Sequence, residues 1–245
     1  MNLEKISKNS NRKHKLFYNF FYDFVKVTGA PGMLLWLRPK VYHPFGNKTP
    51  KGAVLVSSNH RTFLDPMVIQ VAFPWRRLHS LATKDLYKNR VLEFFFDAVH
   101  CIKIDKNNFA VSALHDVVER LEADHMVVIF PEGGVDTGKE DTVHAFKSGA
   151  VLMANKANAP ILPVYIARRA HWYQRQRVVV GEPFYLGDGS GRMLSMAQLN
   201  EASEALREKE LELRAYFESL PIHKKSNPNL STNIDKEEKK HEQKV

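Results

Sequence analysis

Short apolar runs alternate along this chain with longer segments whose apolar residues recur every three or four positions. The run Ala53-Val54-Leu55-Val56-Ser57-Ser58 follows Lys51-Gly52. It is short, β-branched and uninterrupted, the pattern of a strand buried on both faces. Leu78 to Ala82, the pair Ile102 and Ile104, Met126 to Phe130, and Ile161 to Ile166 repeat it, and Arg175 to Val180 and Phe184 to Leu186 are further strand candidates. Helical spacing falls between them. It runs on from Asp65-Pro66, over Leu86 to Phe96, from a cap at Asn107 or Asn108 through Val111, Leu114, Val117, Val118 and Leu121, and over Ser148 to Lys156. Ser195-Met196-Ala197-Gln198 has the form of a capping box and opens a long charged helix that Pro221 stops. Tyr42 to Lys51 reads as a turn-rich connector. Strands alternating with helices predict an α/β domain over residues 40–220, a mostly parallel sheet flanked by helices. Residues 221–245 are polar with mixed Lys and Glu, and are expected to be disordered.

The N-terminal part is patterned differently. Residues 1–14 are basic and polar, a tail expected to be mobile. Residues 15–38 form an amphipathic helical segment: Lys15, Asn19, Asp23 and Lys26 make one narrow polar stripe, and aromatic or aliphatic residues fill the rest. Gly29-Ala30-Pro31-Gly32 interrupts the pattern before Met33 to Leu37. Two apolar segments flanked by Lys and Arg predict a helical hairpin at a membrane interface. A hairpin packed on the domain core is the alternative.

Composition changes this picture little. The chain has 245 residues, 44% of them hydrophobic, enough for one large core. A formal charge of +9 suits an anionic membrane, nucleic acid or an acidic substrate alike. The single cysteine, Cys101, excludes an internal disulfide, and no Cys/His spacing suggests a metal site. The charged start lacks an apolar core and a small-residue cleavage site, so no secretory signal is expected. No run of about 18 apolar residues occurs, so no transmembrane span is expected.

The candidate chemistry begins at Asn59-His60-Arg61-Thr62-Phe63-Leu64-Asp65-Pro66. His60 leaves the end of a strand. Asp before Pro reads as a helix cap with Pro at the first helical position. On one helix these two residues would point about 140° apart; across a strand–turn–helix corner they can meet. A carboxylate on one imidazole nitrogen fixes the tautomer and leaves the other nitrogen to take a proton. A solvated histidine beside a capping aspartate fits this stretch as well.

A second motif follows the Met126 run: Phe130-Pro131-Glu132-Gly133-Gly134. Together with His-x4-Asp-Pro it resembles the glycerolipid acyltransferase family, whose type enzymes acylate 1-acyl-glycerol-3-phosphate. Weaker blocks stand in family order at Cys101 to Lys106, Phe146-Lys147-Ser148-Gly149 and Ala159 to Val164, so the resemblance covers about residues 42 to 185. It implies that His60 is the general base, that Asp65 orients it, and that the Phe-Pro-Glu-Gly stretch binds the acceptor. Arg61, Lys106 and the backbone amides of Gly133 and Gly134 are candidates for holding the acceptor phosphate, and Glu132 for positioning hydroxyls. The implied substrates are a thioester donor, acyl-coenzyme A or acyl-carrier protein, and a lysophospholipid. No separate cofactor and no metal are implied, and a membrane-associated enzyme on the cytoplasmic face is expected. Type enzymes continue the third block as Glu-Gly-Thr-Arg; here it is Glu132-Gly133-Gly134-Val135, and the second block ends in Lys106 where arginine is usual. Lysine keeps the charge but not the bidentate fork, so another lysophospholipid or a membrane alcohol stands as an alternative acceptor. A non-catalytic module binding lipid surfaces or nucleic acid through Arg76-Arg77, Arg168-Arg169, Arg175 and Arg177 is a further alternative. No nucleic-acid motif surrounds Trp172 and Tyr173, so no nucleic-acid partner is expected. No Ser or Cys stands in a nucleophile elbow, which favours direct transfer.

Overall fold

The run at 53–58 forms β2 (Val54–Ser58), and all five of its residues are buried. In this computed structural model, residues 3–46, 49–105, 109–135, 145–169, 171–186 and 193–221 are described, with side chains from Phe17 onward and, in the helix that begins at Phe109, from Ala113 onward. β2 lies at the centre of a seven-stranded sheet. It pairs in parallel with β5 (Met126–Ile129) on one side and β6 (Ile161–Ile166) on the other. Beyond β5 come β3 (Leu78–Thr83) and β4 (Ile102–Ile104), also parallel. Beyond β6 the direction changes: β7 (Arg177–Val180) is antiparallel to it, and β1 (Lys40–Tyr42) is parallel to β7. The order is therefore β1-β7-β6-β2-β5-β3-β4.

Alternation along β2 divides the core, because successive side chains point to opposite faces. Leu55 faces a cluster with Val127, Ile161, Val117, Leu121, Val151 and Leu206. That cluster is built from α4 (Phe109–Glu122), α5 (Gly149–Lys156) and α6 (Met196–Ser219). Val54 and Val56 face Val68, Ile69, Val128, Leu162 and Leu37, on the side of α1 (Leu3–Leu37) and α2 (Asp65–Ala72). Helices cover both faces, as a parallel sheet requires. The capping box at Ser195 and Gln198 forms with both of its hydrogen bonds.

The N-terminal hairpin is not formed. α1 is one continuous 35-residue helix with Pro31 inside it, and it begins at Leu3, within the stretch expected to be a tail. Its two docking points explain the continuity. Tyr22 is buried, its hydroxyl accepting from the Leu78 amide at 2.9 Å and donating to Gln70 Oε1. Leu37, fifteen positions on, is buried in the core. Packing at both points overrides the weak propensity of Gly29, Pro31 and Gly32. The helix stops at Arg38, whose φ of 43° is left-handed and whose amide bonds the Leu34 carbonyl at 2.9 Å. Among the described residues no helix is long and apolar enough to cross a membrane.

Other expectations shift as well. Lys40–Tyr42 is a strand, because β7 supplies its partner from far along the chain. Phe184 to Leu186 is not: it makes a single antiparallel bridge from Phe184 to Ile161. The segment read as one helix from Leu86 splits into a 3-10 turn at Lys84–Leu86 and α3 (Arg90–Ala98), with Asn89 as cap. Asn107, Asn108 and residues 222–245 lie outside the described residues.

Candidate active site

The carboxyl ends of β2, β5 and β6 share one sheet edge, since the three strands are parallel. Beyond β2, Asn59 is fully buried. Its Oδ1 accepts from the Ile166 amide at 2.8 Å and its Nδ2 donates to the Ile166 carbonyl at 3.0 Å. One side chain thus clamps the loop after β2 to the end of β6, and His60 emerges from a fixed backbone.

His60 Nδ1 lies 2.9 Å from Asp65 Oδ2. The same oxygen accepts from the amides of Arg61 at 2.5 Å and Thr62 at 2.7 Å, and Oδ1 accepts from the Thr62 hydroxyl at 2.8 Å. The role expected of Asp65 as helix cap is therefore corrected. Leu64 is the N-cap of α2 and Asp65 the first helical residue. Its carboxylate turns back into the loop, where three donors and the imidazole compete for it more favourably than the helix amides do. With Nδ1 donating to Asp65, Nε2 carries the lone pair. The His60 side chain is 18% exposed and that of Asp65 2%: the imidazole reaches solvent while the carboxylate bonded to it does not.

The Phe130 ring stacks on the imidazole, 4.0 Å between centroids and 15° between planes. Phe130 opens the Phe-Pro-Glu-Gly turn. Gly133 closes that turn with φ +75° and its amide bonded to the Phe130 carbonyl at 3.1 Å. The Gly133 amide, expected to hold phosphate, is spent on the turn. Gly134 is exposed and Glu132 half-buried beside it. The Lys147 amide bonds the Pro131 carbonyl at 3.0 Å, and the Lys147 ammonium lies over Gly133, where it would be 2.6 Å from a Cβ. Lys147 is a cation at the turn that the sequence marked only as part of a weaker block. Lys84, after β3, reaches Asp105 at 2.7 Å, beyond β4. Lys106 lies outside the described residues.

Arg61 is on the other side of His60. It lines a cavity of about 310 Å³ with Leu37, Val68, Arg168, Arg169, His171 and Trp172. Arg76 and Arg77, read as a basic patch, are structural. Arg76 donates to the carbonyls of Pro50 at 2.5 Å and Gly52 at 2.6 Å, and Arg77 pairs with Asp23 of α1 at 2.6 Å.

Beneath the site, Ser57 donates to Glu210 of α6 at 2.7 Å. Burial pushes the Glu210 carboxyl well above its ordinary value, against the pull of the Ser57 hydrogen bond; the nearby Glu132 charge pushes it further. Nothing in the sequence marked this residue, which sits in an otherwise charged helix. Among the described residues no group of His, Cys, Asp and Glu is arranged to hold a metal ion.

Two motifs about 70 residues apart in sequence thus meet ring on ring. The family model Acyltransferase matches residues 41–167, more than half of the chain and the span from β1 to the end of β6. The chain belongs to the acyltransferase family. It is 25% identical over 186 residues to a 1-acyl-sn-glycerol-3-phosphate acyltransferase of Bacillus subtilis, covering 74% of this chain and 90% of that one. It is 31% identical over 167 residues to a probable enzyme of the same name from Mycoplasma genitalium, 64% and 61% of the two chains. The fold matches the crystal structure of the acyltransferase PlsC from Thermotoga maritima with a TM-score of 0.60, at 19% identity over 83% of this chain and 82% of that one. This acyltransferase is an enzyme of acyl transfer to oxygen, and a base poised at a sheet edge is what that chemistry needs.

Proposed function

We propose that this acyltransferase moves a fatty acyl group from a thioester to the free hydroxyl of 1-acyl-sn-glycerol-3-phosphate, giving phosphatidic acid. The observation that carries the reading is the His60–Asp65 pair at 2.9 Å, held against Phe130 of the acceptor-type turn. The names of the relatives from B. subtilis and M. genitalium support the acceptor. His60 Nε2 takes the hydroxyl proton as the alcohol oxygen attacks the thioester carbonyl carbon. The carbon–sulfur bond then breaks, and the proton passes to the leaving thiolate. Asp65 holds the ring and offsets the charge it gains. The step needs only donor, acceptor and His60; the donor is acyl-coenzyme A or acyl-carrier protein.

The acceptor belongs on the β5 side, where Glu132 and Lys147 stand at the turn. Val135 occupies the position of the family's arginine, and the Lys147 ammonium offers one charge in place of a fork. That single charge favours a second reading, a lysophospholipid with a substituted phosphate. Purified protein given acyl-coenzyme A and a panel of lysolipids decides between them. Free thiol released fastest with lysophosphatidic acid supports the first reading; preference for a choline or ethanolamine lysolipid supports the second, and no thiol with any lysolipid removes both.

The enzyme works at a membrane surface, on the cytoplasmic face. Phe17, Phe20, Phe24, Val27, Leu34 and Leu35 of α1 are exposed, Phe20 at 70% and Leu35 at 79%. Phe20, Phe24 and Val27 follow helical spacing, so they form one apolar face directed away from the protein.

A further inference from the structure

Resting on the acyl-transfer reading above, we infer that the cavity on the β6 side of the catalytic pair binds the phosphate groups of a nucleotide-bearing thioester, the coenzyme A form of the donor. Sheet order sets up the division. β2 has two neighbours, and each sends a loop to the same edge as His60. The loop after β5 brings Phe130, Glu132 and Lys147. The loop after β6 brings Arg168, Arg169, His171 and Trp172. An acyl donor must place its carbonyl carbon beside the hydroxyl held at His60 Nε2, and its long arm must leave in a direction the acceptor does not fill. The cavity shares the Asp65 wall with the catalytic pair, and its lining takes residues from the loop after β6 and none from the Phe130–Val135 turn.

Its chemistry fits phosphate. Three guanidinium groups, Arg61, Arg168 and Arg169, line it with the His171 imidazole. Guanidinium forks bind phosphate oxygens in pairs. Arg169 is held in place: its Nη1 donates to the Trp172 carbonyl at 3.3 Å, and its guanidinium lies 5.2 Å from the centroid of the Trp36 ring. Burial lowers the Arg169 guanidinium from its ordinary value.

The rim distinguishes a nucleotide from a bare phosphate. Trp172 is 75% exposed at the cavity, and Tyr173 beside it stacks on His171 with an interplanar angle of 3°. An exposed indole plane next to guanidinium groups provides a base with a stacking surface. A lysophospholipid headgroup and a carrier protein's phosphopantetheine have the phosphate but no base.

The test uses 3′,5′-ADP, the nucleotide end of coenzyme A without its thioester. Calorimetry on the full-length protein should show binding, and kinetics should show inhibition competitive with acyl-coenzyme A but not with lysophosphatidic acid. Arg168→Ala/Arg169→Ala should weaken 3′,5′-ADP about tenfold or more, the scale of losing one charged hydrogen bond. It should also cut the preference for acyl-coenzyme A over acyl-pantetheine, measured as a ratio of kcat/KM, by a similar factor. Trp172→Ala, at an exposed position where folding is not at stake, should lower the same ratio. Inhibition competitive with lysophosphatidic acid would put the acceptor phosphate in the cavity and overturn the assignment. Inorganic phosphate binding as tightly as 3′,5′-ADP would overturn it, as would acyl-carrier protein serving as donor with no nucleotide binding. Calorimetry needs no turnover: nucleotide binding that depends on Arg168 and Arg169, in a protein that transfers no acyl group, upholds the cavity and refutes the acyl-transfer reading.

Discussion

Replacing Asp65 by asparagine isolates the charge in the catalytic pair from its geometry. Oδ2 accepts from three donors: His60 Nδ1, the Arg61 amide and the Thr62 amide. Oδ1 accepts from one, the Thr62 hydroxyl. A hydroxyl can turn and accept, whereas backbone amides cannot. The asparagine therefore settles with its oxygen at the Oδ2 position and its NH2 towards Thr62. His60 keeps its tautomer, with Nε2 ready to take a proton. What is lost is the negative charge facing the imidazolium as it forms. A hydrogen bond to a charged group contributes about 1.5–3 kcal/mol, which corresponds to a kcat loss of roughly 10- to 150-fold. Unit charges 4 Å apart at an effective dielectric of 20 interact by about 4 kcal/mol, which sets a ceiling near 1,000-fold. Steady-state thiol release gives kcat and both Michaelis constants, with circular dichroism and thermal unfolding checking the fold. Both Michaelis constants should stay within about threefold, because the asparagine keeps the hydrogen bonds that shape the loop. A kcat within threefold of the parent, in a folded variant, refutes the role of Asp65 as the partner of a charging base.

Gly133→Ala should destabilise the Phe-Pro-Glu-Gly turn by about 1–2 kcal/mol, because the position has φ +75° and the new Cβ would press on the Lys147 ammonium; thermal unfolding checks the stability, and the Michaelis constant for the acceptor should rise. Phe20→Asp with Leu35→Asp should reduce sedimentation with anionic liposomes while leaving Tm within a few degrees, since both side chains are exposed; unchanged sedimentation would remove the membrane role of α1. Burial lowers His79 to about 3 and His100 to about 4, below their unfolded values near 6.5. The unfolded chain then binds more protons across this window, so their contribution is intact above about pH 6.5 and is lost as pH falls towards 4, by up to about 2 kcal/mol at pH 5 for the buried His79 and by less for the more exposed His100. Unfolding midpoints from pH 7 to 5 should fall in the parent and fall less in His79→Gln, and a flat profile refutes the linkage.

The parts of this enzyme that the sequence makes legible are those set by local pattern. β2, β5 and β6 are unbroken apolar runs because helices cover both faces of the sheet, and such runs read plainly as buried strands. His60 and Asp65 stand out only beside Phe130-Pro131-Glu132-Gly133, because the pair alone reads equally as a solvated histidine next to a helix cap. What escapes the pattern depends on partners far along the chain. β1 is three residues long and is a strand only because β7 lies beside it. Gly29, Pro31 and Gly32 read as a break, yet Leu37 buried at the end of α1 holds the helix through them. Asp65-Pro66 looks the same whether the carboxylate caps the helix or turns back into the loop; the donors that decide it, Arg61, Thr62 and His60, are fixed only once Asn59 has clamped the loop to β6. Arg76 and Arg77 look like a ligand patch, but carbonyls of Pro50 and Gly52 and the carboxylate of Asp23 claim them. Glu210 is hidden by its neighbours, because a glutamate in a charged helix carries no mark of facing inwards.

The division of the sheet edge also determines how substitutions should sort. His60 stands at the end of the central strand, with the turn after β5 on one side and the loop after β6 on the other. On the proposed division, a change at Lys147 or Gly133 alters what meets the alcohol, so its kinetic effect belongs in the acceptor's Michaelis constant. On the same division, a change at Arg168, Arg169 or Trp172 alters what meets the thioester's arm, so its effect belongs in the donor's. On the proposed mechanism His60 Nε2 takes the transferred proton and Asp65, on Nδ1, offsets the charge the ring gains, so their effect belongs in kcat. Arg61 is the instructive case: its backbone amide holds Asp65 at 2.5 Å while its side chain lines the β6-side cavity. Arg61→Ala keeps the amide and removes the guanidinium, so it should raise the donor's Michaelis constant and leave kcat nearly untouched. A fall in kcat with both Michaelis constants unchanged would mean that the guanidinium acts on the reacting carbonyl itself, and the two-sided division of the site would fail at its centre.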